Sequence, residues 1–275
     1  MARRWSTVVA VALCAGCGGG GGSPAATPAA ANPPVVTQQS AGGMWFAPVP
    51  AGSGQATSLM IAETGDLKIS MAPTATSGPA FGYGAVAVMG NRVEGSLETR
   101  AIQTSPTAPA GAQFHCTVSG TVNPRVSLQL TTVCTDGAGA TTTTSFGFMY
   151  DSRYDMDSSL ADIAGNYNFP ANTPLNTATN SLNINGDGTL FGMYDNGPRC
   201  TLNGTVSIIH PDFNLYRFEV LFSTCTRLAS QYEGARMTGL ATRNLPGQKA
   251  GAFLLLLTAV INGRLEFASV LYEPV

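Results

Sequence analysis

Phe114-His115-Cys116-Thr117-Val118-Ser119-Gly120-Thr121-Val122-Asn123-Pro124-Arg125-Val126-Ser127-Leu128-Gln129-Leu130-Thr131-Thr132-Val133-Cys134 reads as two β-strands folded about a turn. β-Branched Thr and Val alternate with other residues on either side of Asn123-Pro124-Arg125, and such side chains pack well on a pleated surface. Cys116 and Cys134 are equidistant from Arg125. In an antiparallel pair, residues equidistant from the turn face each other with Cβ atoms about 4.5 to 5.5 Å apart, near the separation a disulfide needs. Cys200 and Cys225 repeat the pattern around His210-Pro211-Asp212-Phe213-Asn214, their midpoint falling beside Asp212. The expected disulfides are therefore Cys116 with Cys134 and Cys200 with Cys225. Loops of this size contribute roughly 3 kcal/mol each in the chain-entropy account of cross-linking.

Outward from this hairpin, turn signals recur at short intervals and helical periodicity is scarce, which predicts a meander of strands. In the first half strands are expected near Met44 to Pro48, Ser58 to Ala62, Leu67 to Ala72, Gly82 to Met89, Arg92 to Ile102, Phe114 to Val122, Ser127 to Cys134 and Thr142 to Tyr150. In the second they fall near Gly165 to Phe169, Ser181 to Ile184, Thr189 to Tyr194, Arg199 to Ile209, Leu215 to Thr226, Tyr232 to Arg243, Ala252 to Val260 and Arg264 to Tyr272. Gly90-Asn91, Asn185-Gly186-Asp187-Gly188 and Asn262-Gly263 carry the residues that two-residue hairpins demand. Between the halves, Ser159 with Asp162 three residues on resembles a capping box and Gly165 a stop, so one helical turn is expected there. The fold class is all-β: two antiparallel eight-stranded meanders closing into small barrels, with one large β-sandwich as the alternative. Closure removes the exposed sheet edges that an open meander would leave.

Ala252-Phe253-Leu254-Leu255-Leu256-Leu257-Thr258-Ala259-Val260 breaks the alternation, being apolar on both faces. Such a strand must be covered twice. Its outer face is expected to pack on the first half, through Leu255 or Leu256.

Composition narrows the setting. Charged residues make up 11 % of the chain, where roughly a quarter is usual, and Gly, Thr, Ser and Asn fill the gap. Removing residues 1 to 16 takes away Arg3 and Arg4, leaving 12 basic against 16 acidic side chains, a net of −4. That balance excludes a nucleic-acid partner. At the N-terminus, Arg3 and Arg4 precede an apolar run from Trp5 to Ala15, too short to span a bilayer and about right for a signal peptide. The run ends in Leu13-Cys14-Ala15-Gly16-Cys17, followed by Gly18 to Gly22. This segment resembles the bacterial lipobox, which implies cleavage before Cys17, acylation of its thiol, and durable anchoring in a membrane by several chains. Gly18 beside the cysteine resembles the pattern sorted to the outer membrane. Periplasmic or surface orientation stays open. The resulting organisation is a signal peptide (1 to 16), a lipidated disordered tether (17 to 41), an N-terminal barrel-like domain (42 to 150), a linker with a short helical turn (151 to 164) and a C-terminal barrel-like domain (165 to 275).

The halves echo one another. Gly43-Met44-Trp45 has a counterpart in Gly165-Asn166-Tyr167, and Cys116-Thr-Val-Ser-Gly-Thr-Val122 in Cys200-Thr-Leu-Asn-Gly-Thr-Val206, the latter out of register between the sixth expected strand of one half and the fourth of the other. Tyr154-Asp155-x-Asp157-Ser158-Ser159-Leu160-Ala161 leading into Gly165-Asn166-Tyr167, Asp187-Gly188-Thr189-Leu190-Phe191-Gly192, Cys200-x-x-x-Gly204-Thr205-Val206 and Asn214-x-Tyr216, behind the lipobox and its glycines, resemble a group of proteobacterial outer-membrane lipoproteins of unassigned function. In these a Gly-rich tether precedes two linked all-β halves. The resemblance implies this fold and an envelope location, and brings no activity.

No nucleophile elbow, zinc-helix motif, P-loop or dinucleotide fingerprint is present, and the expected catalytic set is none. His115 and His210 read as a pleat residue and a turn residue. Glu63 with Asp66, and Glu94 with Glu98, read as solvated hairpin carboxylates. Asp151, Asp155 and Asp157 lack the order of a calcium loop, and Asn183, Asn185 and Asp187 are accounted for by a hairpin turn, so no metal and no cofactor is expected. The expected function is a non-catalytic, outer-membrane-anchored binding or interaction module working through barrel loops, with the lipid membrane and an unidentified protein or small ligand as partners. A structural or assembly lipoprotein of the envelope is the alternative, and a hydrolase a more distant one. Peptide mapping without reduction is expected to recover Cys116 with Cys134 and Cys200 with Cys225; any bridge between the two halves would break the division of the chain proposed above.

Overall fold

The computed structural model describes residues 40–47, 57–71, 80–101, 111–168, 181–195, 199–244 and 248–275. The expected signal peptide, Cys17 and nearly all of the expected tether lie outside these residues, as do the outer ends Pro48, Ala72, Ile102 and Phe169 of four expected strands. The first eight strands are β1 (Gly43–Phe46), β2 (Ser58–Ile61), β3 (Asp66–Met71), β4 (Ala80–Met89), β5 (Arg92–Ala101), β6 (Gln113–Asn123), β7 (Ser127–Asp136) and β8 (Thr141–Tyr150). The second eight are β9 (Gly165–Asn168), β10 (Ser181–Ile184), β11 (Thr189–Asp195), β12 (Arg199–Ile208), β13 (Tyr216–Ser223), β14 (Arg236–Arg243), β15 (Phe253–Ile261) and β16 (Arg264–Pro274). Each set pairs antiparallel in chain order and closes into a barrel, so the sandwich alternative falls. Closure is made by few residues: Trp45 opposite Tyr150 and Phe46 opposite Met149 in one barrel, Tyr167 opposite Pro274 and Asn168 opposite Glu273 in the other. Between the barrels, Ser152–Asp155 forms a 3₁₀ turn and α1 (Leu160–Ile163) a single helical turn, with the Ser159 side chain accepting from the Asp162 N–H as its cap.

Inward-facing residues fill both barrels. Trp45, Leu128 and Phe148 are fully buried in the first. In the second, Phe253 packs edge-on to Tyr167 at 4.8 Å and stacks with Tyr272 at 5.2 Å and Phe218 at 5.7 Å. Small barrels bend sharply, and at the bends the inward position must carry no side chain. A Cβ at Gly120 would lie 1.9 Å from the Gln129 carbonyl oxygen, and one at Gly204 1.9 Å from that of Glu219. Glycine in the Gly-Thr-Val segment of each echo is thus a requirement of closure.

Three connections depart from the sequence reading. The Asn185 to Gly188 turn is a three-residue loop, Asn185 N–H donating to the Thr189 carbonyl at 2.9 Å, and of its glycines only Gly188 takes a positive φ, of 83°. The strand expected from Tyr232 begins at Arg236, because Arg227–Tyr232 is a 3₁₀ turn and Gly234 then turns the chain with φ 75°. Cys116 and Cys134 are direct partners in the ladder and bonded, S–S 2.05 Å. Cys200 and Cys225 are also bonded, but one residue off the β12/β13 register, in which Thr201 faces Ser223. Thr224, at φ 52°, absorbs the extra residue just past the ladder's end, while Glu233 accepts from the Thr224 and Cys225 N–H groups.

The barrels also correspond in register, which the cysteine echo hides. Trp45 Nε1 donates to the Ala41 carbonyl and Tyr167 Oη to the Ile163 carbonyl, each reaching back four residues at the start of its barrel. Gly65 and Gly188 end equivalent hairpins, and their carbonyls accept from Val86 and Val206 N–H at 3.0 and 2.7 Å. Val122 makes the same contact with Asn91 at 2.8 Å. Cys116-to-Val122 therefore matches Cys200-to-Val206 because both are strands following such a hairpin, one further round the first barrel.

A third apolar cluster joins the barrels: Met44, Met60 and Ala62 from the first, Leu215, Leu240 and Leu256 from the second, and Tyr154 from the linker. Along β15, Phe253, Leu255 and Leu257 point into their own barrel and Leu256 lies in this joint, so it is the outward leucine that covers the first half. Tyr154 stacks on Phe213 at 4.9 Å. Arg100 adds a half-buried bridge, pairing with Glu266 at 3.0 Å and donating to the Leu265 carbonyl at 2.7 Å. Leu256→Asp, which forces a carboxylate into this joint, is expected to destabilise the chain by about 3 kcal/mol or more and to open residues 151 to 164 to protease. Unchanged resistance in a limited-proteolysis time course would reject the joint.

Candidate functional site

Strand alternation brings charge to the joint. In β3, Leu67 and Ile69 face the core, which turns Asp66 and Lys68 outward; in β13, Tyr216, Phe218 and Val220 face the core, which turns Arg217 and Glu219 outward. The two strands lie on facing walls of a cleft of about 190 Å³ between the barrels, with Tyr83 and Thr238 completing its polar lining. Arg217 Nη2 pairs with Asp66 and reaches Thr64 Oγ1 at 3.4 Å. Lys68 is only 7 % exposed, donates to Thr258 Oγ1 on β15, and lies 5.1 Å from the centre of the Tyr83 ring. Burial pushes its pKa down to about 8, with Arg217 acting in the same direction and Asp66 opposing both. Burial, with the Glu98 carboxylate behind it, pushes the Tyr83 hydroxyl up.

The residues singled out from sequence are distributed elsewhere. His115 Nδ1 sits 2.5 Å from Glu98 Oε1 on the exposed wall of the first barrel, directly across the β5/β6 ladder. Glu94 pairs with Arg92 at 2.8 Å. His210 Nδ1 accepts from the Asp212 N–H at 3.3 Å within its turn, and its ring lies 5.0 Å from Phe213. Glu63 and Asp66 are more than solvated turn carboxylates, since each meets the rest of the protein. Glu63 accepts from Tyr154 Oη at 3.2 Å, which together with burial raises the tyrosine well above its ordinary range. Asp66 meets Arg217 across the cleft.

The aspartates between the barrels cap and brace. Burial pushes the Asp151 carboxyl up, but hydrogen bonds from the Arg153 guanidinium and N–H outweigh it and hold the group below the usual range. Asp155 accepts from Tyr150 Oη at 2.8 Å and pairs with Arg125 at 3.2 Å. Asp187 accepts from the Thr189 hydroxyl and N–H, which lower its carboxyl, and Asn183 donates to Asn166 at 2.6 Å. Among the described residues no three His, Cys, Asp or Glu side chains gather as a metal would require.

Lys68, Tyr83 and Arg217 were not singled out in the sequence. One signal was available: the chain has two lysines, Lys68 and Lys249, and the first falls within a strand. No model of a known protein family, no curated protein and no solved structure matches the chain.

The depressed pKa of Lys68 makes stability depend on pH. Between about 8 and the ordinary 10.5 the unfolded chain holds a proton on this amine that the folded chain has released, so stability rises with pH across that window. Below pH 8 both states are protonated and the cost of burying the charge, about 3 kcal/mol, is fully present. The facing groups are Asp66, Arg217, Glu219 and Tyr83, the last held above its ordinary range by burial. Guanidinium denaturation at pH 7.5, 8.5 and 9.5 is expected to show the parent chain gaining stability relative to Lys68→Met, because the difference isolates this one amine. A difference that does not change with pH would mean Lys68 titrates normally.

Proposed function

We propose that the chain is a non-catalytic lipoprotein of the outer membrane, anchored through acylated Cys17, that engages a partner through the loops at one end of its first barrel. The observation that carries the reading is that three of the exposed large apolar side chains stand together at one end of that barrel. In an antiparallel meander alternate hairpins share an end, and the turns after β2, β4 and β6 share theirs with the end of β8. Met89, Val126 and Met149 stand at that end, 59 %, 50 % and 60 % exposed. Solvent-exposed methionines beside polar turns suit an adaptable contact surface. The barrel interiors, filled by side chains such as Trp45, Phe148 and Phe253, support a reading in which contacts are made from outside. The Gly, Pro and Ala composition of residues 18 to 41 suits a leash between a lipid and this body.

Two measurements test the two parts. Labelled palmitate is expected to enter the parent chain and not Cys17→Ser, which should pass to the soluble fraction; an unlabelled, soluble parent chain would overturn the anchor. A photo-crosslinking residue at position 126 is expected to give a discrete adduct in intact cells, and one at position 143 on the outer wall none. Equal patterns at the two positions would overturn the barrel-end surface.

A further inference from the structure

Lys68 is the one lysine that the fold takes out of water; Lys249, the other, is exposed and bonded to the Pro274 carbonyl. The cleft that Lys68 lines also carries the Arg217 guanidinium, and among the described residues the contacts of Arg217 with Asp66 and Thr64 run through Nη2, leaving Nε and Nη1, on different edges of the group, as single donors for a ligand. A guanidinium draws a carboxylate by its fixed charge and a charge-assisted N–H bond, whereas an amine freed of its proton is a nucleophile toward carbonyl carbon. Size restricts the candidates: about 190 Å³ is room for roughly six waters or a ligand of about as many heavy atoms.

We propose that this inter-barrel cleft takes small α-oxo carboxylates, with the Arg217 guanidinium holding the carboxylate and Lys68 Nζ capturing the carbonyl carbon as a reversible imine. The amine adds to the carbonyl carbon, forming a C–N bond, and one nitrogen proton passes to the carbonyl oxygen. The resulting hydroxyl leaves as water with the second nitrogen proton, so amine and ketone become imine and water with no oxidation. Asp66, two residues from Lys68 on the same strand face, can relay these protons. Burial of Nζ favours the free amine on which the addition depends, against the opposing Asp66 carboxylate and with a smaller push from the Arg217 charge. Thr258 Oγ1 holds Nζ, and the Tyr83 ring lies 5.1 Å from it. The cleft adjoins the turn after β2 through Thr64 and Asp66, but it is argued from Lys68 and Arg217 and not from the exposed apolar residues, so neither reading rests on the other.

The test is reductive trapping of the full-length protein with pyruvate and cyanoborohydride near pH 8, followed by peptide mapping. Lys68 is expected to be labelled at least about tenfold faster than Lys249, the built-in control for ordinary amine reactivity. Lys68→Arg should leave only the slow Lys249 adduct. Arg217→Gln should slow pyruvate capture at Lys68 about tenfold while changing capture of acetaldehyde, which has no carboxylate, by less than about twofold. If Arg217→Gln does not fold, Arg217→Met, which keeps the apolar stem and loses the charge and every donor, replaces it and should show the same selectivity. Lys249 labelled as fast as Lys68 would overturn the proposal, and so would equal slowing of both probes.

Discussion

A meander of strands has two edges, and each edge is a row of backbone donors and acceptors that must find partners. In this protein both meanders meet the requirement by joining first strand to last, although β1 and β9 are only four residues long. Two residue pairs close each ring. So short a seam needs its strand held in place by something besides the ladder. The aromatic at the third position of each strand does this: Trp45 and Tyr167 plunge into their barrels and bond back to the carbonyl four residues earlier. Each seam is thus fixed by burial on one side and by a satisfied ring donor at the end where the chain enters.

Much of this was legible because strand periodicity and turn chemistry act locally. The expected strands all form, and most end within a residue or two of the observed bounds, since alternation and the Gly and Asn turn positions are decided by neighbours along the chain. The Cys116 to Cys134 staple was legible for the same reason. The Cys200 to Cys225 offset was not, because a residue at φ 52° outside the ladder shifts register without any Gly to announce it. Tyr232 was misread because its flanking residues suit a strand, while the turn it occupies is set by Glu233 reaching back to the Thr224 and Cys225 N–H groups.

The candidate site was less legible, and the reason is physical. Nothing local distinguishes Lys68 from a solvated strand lysine; its burial comes from β15 and β13, which lie about 150 to 190 residues further along the chain. The apolar run of β15 announced that some surface would cover it, and the outward leucine Leu256 does meet the first barrel. What the run could not announce is that the same covering would trap an amine beside it. Within the conspicuous cluster of Asp151, Asp155 and Asp157, Asp151 is spent on a cap and Asp155 on a brace.

A chain with so few charges had little need to bury one at its joint. An apolar residue in place of Lys68 would avoid the desolvation cost, and Met60, opposite it in the ladder, with Leu240 in the cleft wall could cover it. The Thr258 hydroxyl and the Tyr83 ring offset part of that cost, yet the amine is still shifted to about 8, so the offset is incomplete. Arg100 shows the alternative solution close by, a cation matched to Glu266 and to a backbone carbonyl across the same joint. The contrast argues that bracing the barrels does not require Lys68, since a paired arginine already braces them. An amine kept off balance beside an open polar cleft is what a reactive site requires and what a strut does not.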